Sequence, residues 1–162
     1  MNTPAFIADY FAAEKLEALL FIAVGVGAIA WAGWLLRRRS PLRGMAGPLV
    51  AVALIQLVVG ASVYLRTEGQ VDALARQLQE QPAAFQADEG ARMKTVINSL
   101  ERYKQIEIGL LALGMALVVL LRNRAFWFAF GLGLVLQSGL MLALDFFAEA
   151  RAREYFRLLL AL

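Results

Sequence analysis

Residues 16–36 read LEALLFIAVGVGAIAWAGWLL, and Arg37-Arg38-Arg39 follow at once. A helix of about 20 mostly apolar residues crosses a hydrocarbon core of about 30 Å, so this run is a membrane span closed by its own charge stop. Three more runs have the same form: residues 45–65 closed by Arg66, 106–121 closed by Arg122, and 125–144 closed by Asp145. Apolar residues make up 60% of the 162 positions, more than a soluble domain of this size carries. Helices are the expected form, because a lone open sheet would leave backbone groups unpaired in lipid. The expected fold is an all-α integral membrane protein: one four-helix transmembrane bundle over residues 1–162.

The short loops orient it. Residues 37–44 hold Arg37, Arg38, Arg39 and Arg43, residues 122–124 hold Arg122 and Arg124, and neither loop has an acid. The positive-inside rule places both in the cytoplasm of a bacterial inner membrane. Both termini and residues 66–104 are then periplasmic. Trp31, Trp34 and Trp127 fall near the inner ends of their spans, where an aromatic belt belongs. The first 14 residues carry Asp9 and Glu14 and lack a basic start, so no cleavable leader is expected and the first span serves for insertion.

Residues 66–104 are too polar for lipid, yet Val71, Leu74 and Leu78, then Met93, Val96, Ile97 and Leu100, recur at helical spacing. Gln81-Pro82 with Ala83-Ala84-Phe85 interrupts the pattern, since proline lacks a donor and restricts the residue before it. Helix 2 is therefore expected to run out of the bilayer, turn near Pro82 and return as helix 3. Residues 145–162 contain no Pro or Gly and extend helix 4 in the same way, with Leu158 to Leu162 returning to the hairpin or to the headgroups. Glu17 and Gln56 in the first two spans echo Glu107 and Gln137 in the last two. The two tandem hairpins read either as a duplication or as convergence on what short membrane helices tolerate.

Three groups of residues are candidates for function. Glu17, Arg66, Glu107 and Asp145 come one from each span at the outer boundary. They form either a cation site facing the bundle interior or helix-ending charges at the interface. Gln56 and Gln137 lie at mid-membrane and either line a polar path or bond across helices. Pro82 and Phe85 mark the tip of the external hairpin, where Phe85 is either an exposed anchor for a partner or a plug in the hairpin's own core. The Arg37–Arg43 cluster sets topology and can also meet anionic headgroups.

Function classes narrow mainly by exclusion. The chain has no cysteine and no histidine, which removes thiol chemistry, histidine metal and haem ligation, and the commonest general base. No phosphate-binding loop or nucleophile–base pattern is present, a net charge of +3 is too small for nucleic acid, and no cofactor is expected. The reading is a non-enzymatic membrane protein whose external part binds another protein, as a complex subunit, regulator or immunity-type antagonist, with the lipid bilayer and a protein partner or homo-oligomer as its contacts. The alternative is a small oligomeric transporter or channel for a cation or cationic ligand. An enzyme acting on lipid is a third class with no motif behind it.

Overall fold

The computed structural model describes residues 5–161, which form four long helices and no strand. α1 is Ala5–Arg37, α2 Ala46–Glu80, α3 Pro82–Leu120 and α4 Ala125–Leu160, and a 3-10 turn at Arg43–Met45 leads into α2. The helices have 33 to 39 residues, about 50–60 Å at 1.5 Å per residue. Each is long and apolar enough to cross a membrane. Each also exceeds that need by about half its length.

α1 packs along α2 and α3 along α4, as two antiparallel hairpins. The hairpins meet mainly where α4 lies against α2 and against the turn before it. α1 and α3 do not run alongside each other, and they meet through side chains at the hairpin end, where Arg92 lies over the Phe11 ring. One end carries the Arg37–Met45 and Leu121–Arg124 connections and is called the loop end. The other carries the α2–α3 turn, the start of α1 and the end of α4, and is called the hairpin end.

Two sequence expectations change at the hairpin end. Helices 2, 3 and 4 were expected to project, but α1 projects as well. It is helical from Ala5 and buries Ile7, Tyr10 and Phe11 against the other three helices. An apolar stripe at 7, 10 and 11 is short and is diluted by Asp9 and Glu14, which hid it from a periodicity reading. The break between α2 and α3 is also tighter than expected. Only Gln81 is non-helical, and Ala83, Ala84 and Phe85 already belong to α3. Pro82 sits in the first helical turn, where its missing N–H is no loss and its fixed φ suits the helix.

The hairpin end has a core of its own, in which Ile7, Phe11, Phe85, Met93, Tyr155 and Leu159 converge from α1, α3 and α4. Val71, Leu74 and Leu78 pack on it from α2. Leu159 is fully buried while Leu158 and Leu160 are exposed, so the apolar C-terminal stretch returns to the bundle; Leu162 lies outside the described residues.

A second core at the loop end joins Ala28, Ala32 and Leu35 of α1 to Leu49 and Ala53 of α2 and Ala129 of α4. Glycine sets the helix spacing between α3 and α4. A Cβ at Gly114 would stand 2.9 Å from the carbonyl oxygen of Gly131, and one at Gly131 would stand 2.8 Å from that of Gly114. At the loop end a Cβ on Gly44 would collide with the Phe126 carbonyl, so the first loop is pressed against the start of α4.

α1 closes with Ser40 N–H donating to Leu35 C=O and Arg39 N–H to Leu36 C=O, both at 3.2 Å. This is a Schellman close, and Arg39 takes the left-handed position with φ 47°. Glycine fills that position most cheaply; a side chain there costs about 1–2 kcal/mol.

Candidate functional site

The charges near the hairpin-end limit of the apolar segments do not gather into one ring. Glu17 of α1 pairs with Arg151 of α4, a contact that ties the two hairpins together. Arg66 of α2 lies 3.7 Å from Glu14 of α1, with Lys15–Glu68 beside it in the same hairpin. In the other hairpin Lys104 pairs with Glu149, which Arg153 also meets at 2.7 Å. Of the four residues singled out by depth, Glu107 and Asp145 are brought together and Glu17 approaches Asp145. Arg66 goes elsewhere, because its face of α2 turns toward α1.

Glu107 and Asp145 are the most buried of these acids, at 6% and 5% exposure, and neither forms an ion pair among the described residues. Oε2 of Glu107 has no hydrogen-bond partner among the described residues. No three acidic side chains among the described residues are arranged to hold a metal ion.

Gln56 and Gln137 are both fully buried, facing the seam between the hairpins. Gln56 Nε2 donates to the Met141 sulfur at 3.2 Å and Gln137 Nε2 to the Leu49 carbonyl at 3.4 Å. Both bonds therefore run between α2 and α4. Gln56 Oε1 and the Ser138 hydroxyl have no hydrogen-bond partner among the described residues. Glu17 and Glu107, and likewise Gln56 and Gln137, make unlike contacts although they hold equivalent places in the two hairpins.

Phe85 is fully buried in the hairpin-end core, while Pro82 is exposed at the turn. Of the two roles open to Phe85, the structure shows the plug.

A network that the sequence reading missed lies one turn along α3. Glu89 is 1% exposed, takes hydrogen bonds from Arg92 Nε at 2.6 Å and Nη2 at 2.7 Å, and accepts a third from the Tyr155 hydroxyl at 3.0 Å. Tyr155 stacks on Tyr10 of α1 with centroids 4.3 Å apart, and Arg92 lies over the Phe11 ring at 5.6 Å. Burial, with the Glu14 charge adding to it, pushes the Tyr10 hydroxyl up to about 12. Burial and the Glu89 charge raise that of Tyr155 as well. Burial also raises Glu14, against the pull of Arg66. For Arg92, burial disfavours the charge, but the hydrogen bonds and charge of Glu89 outweigh it and the guanidinium stays firmly protonated. A signal was available, since Phe85, Glu89 and Met93 are spaced by four and Glu89 therefore stands on an apolar stripe.

No family model, curated protein or solved structure matches this chain.

Proposed function

We propose that this chain is a multi-pass membrane protein that binds another protein through the end of its bundle standing clear of the bilayer. One observation carries the reading: every helix continues past its apolar segment, and the four continuations close over a shared aromatic core. Spanning alone requires none of this. Positive-inside orientation puts the loop end in the cytoplasm and the hairpin end outside, in the periplasm of a Gram-negative cell. Complex subunit, regulator and immunity-type antagonist are all forms of this reading.

With Phe85 inside the core, the contact surface moves to α2. Gly69, Asp72, Ala73, Arg76 and Glu80 lie along one exposed face of α2, an open, shallow hollow of about 500 Å³ that combines small side chains with both signs of charge. That composition suits the helix or loop of a partner more than a small apolar ligand. A photo-crosslinking residue at Ala73 in cells should capture one protein in stoichiometric amount, and the same residue at lipid-facing Leu54 should not. Equal capture at both positions, or none at Ala73, Arg76 and Glu80, sinks the proposal.

The buried acids Glu107 and Asp145, without an ion pair among the described residues, favour a second reading, a small oligomeric transporter or channel for a cation or cationic ligand. Proteoliposomes decide it. Flux that disappears in Glu107→Gln and Asp145→Asn would establish transport, and its absence in the unmodified protein would remove it.

A further inference from the structure

All six arginines of the two short loops lie at one end of the molecule, exposed and without an ion-pair partner among the described residues. No acid lies between Glu17 and Glu68, nor between Glu107 and Asp145, so nothing at that end balances them. Toward the hairpin end, by contrast, lie all the ion pairs found among the described residues.

The fold also presses the two basic loops together. Gly44 abuts the Phe126 carbonyl, a Cβ on Gly133 would stand 2.7 Å from the Pro48 side chain, and Leu42, Met45 and Ala129 share one core. Arg43 directly precedes Gly44, and Arg124 stands two residues before Phe126, so arginines of both loops are carried on backbone segments that touch. Setting a topology requires positive charge in each loop, but it does not require the two loops to be joined. Arg39 adds an independent point, because the charge stands on a left-handed backbone position that glycine would occupy without strain. Exposed Trp31, Trp34, Phe126 and Trp127 surround this end, as side chains at headgroup depth do.

We propose that the merged loops form a binding site for the phosphate-bearing headgroup of an anionic phospholipid, with arginines of both loops on one lipid. Guanidinium matches phosphate oxygens in a two-pronged geometry and is always charged. The occupant is a lipid and not a soluble anion, because the exposed indoles of Trp31, Trp34 and Trp127 near the same helix ends suit headgroup depth. The inference rests on the membrane reading above.

The test uses the full-length protein in nanodiscs of phosphatidylcholine doped with phosphatidylglycerol or cardiolipin, with retained lipid counted by native mass spectrometry. Failure to enter nanodiscs at all would count against the membrane reading itself and separates that failure from this one. The unmodified protein should keep anionic lipid in preference to phosphatidylcholine. Arg43→Gln and Arg124→Gln, one from each loop, should each lower retention about fivefold. Arg66→Gln, at the far end, should not.

Arg39→Gly is the sharper variant, expected to raise the unfolding temperature in pure phosphatidylcholine while lowering retention of anionic lipid. The unmodified protein also gives a reading that needs no variant, since raised salt should strip a lipid held by exposed charge. Equal retention of neutral and anionic lipid overturns the proposal. So does salt-independent retention, or displacement of the lipid by inorganic phosphate.

Discussion

The hydroxyl of Tyr155 donates to Oε1 of Glu89 at 3.0 Å, joining residues 66 positions apart in the core of the hairpin end. Arg92 completes the group from the same helix as Glu89, and Tyr10 stacks on Tyr155 from α1. The buried carboxylate thus fastens α3 to α4, and the Tyr10 stack adds α1 to the group.

Arg92→Ala removes the counter-charge of that carboxylate. Stranding a buried charge costs about 3–5 kcal/mol, and the 26% exposure of the Arg92 side chain places the expected loss nearer about 2–3 kcal/mol. Tyr155→Phe removes one hydrogen bond to a charged acceptor and should cost about 1.5–3 kcal/mol. Thermal unfolding in detergent, followed by circular dichroism, measures both. A change below about 0.5 kcal/mol in each would show that the network is not a fastening.

Alkaline pH should loosen the hairpin end first. Tyr10 is held at about 12 in the folded protein, against 10 for the free side chain. A group raised on folding contributes stability that is complete below its unfolded value and is lost as pH rises to its folded value. The loss therefore falls between about pH 10 and 12. Tyrosinate absorbance should rise together with exposure of the bundle, and Tyr10→Phe should shrink the pH-dependent part. Ordinary titration near pH 10 in the native protein would contradict this.

Gly131→Leu should be among the most damaging single changes in the apolar segments. A side chain there meets the Gly114 carbonyl and the Leu117 Cβ, each at 2.8 Å, so α3 and α4 must separate. Overpacking of this kind costs about 1–3 kcal/mol. Gly27→Leu is the control, because a Cβ at Gly27 meets nothing within 4 Å. Detergent-induced unfolding should distinguish the two clearly.

The absence of native cysteine makes topology directly testable. Ser40→Cys and Asn123→Cys should resist a membrane-impermeant thiol reagent applied to cells, while Gln79→Cys and Ala161→Cys should react. Labelling of Ser40→Cys but not Gln79→Cys from outside would reverse the orientation.

Much of the architecture was present in the sequence because the features that encode it are local. A run such as residues 16–36 and the arginines after it need no knowledge of the rest of the chain to be read as a helix with a stop. The continuation of α2 and α3 past their apolar segments was equally readable from Val71, Leu74 and Leu78, and from Met93, Ile97 and Leu100. Glu89 was within reach too, as a carboxylate spaced by four between Phe85 and Met93. Its significance went unnoticed because an acid early in a helix already has a sufficient explanation in the helix dipole.

The sequence by itself determined the number of helices, their apolar segments, the single break at Gln81-Pro82 and the concentration of arginine in two loops. Only the tertiary structure decided which charge meets which: Glu17 with Arg151, Arg66 with Glu14, Glu107 with Asp145, and Phe85 inside the core. The reason is rotational. A helix that is apolar all round gives no periodic mark of which face turns inward, and partner choice follows from that angle. Two loops 80 residues apart likewise become one basic surface only when Gly44 meets Phe126, a contact that no local pattern announces.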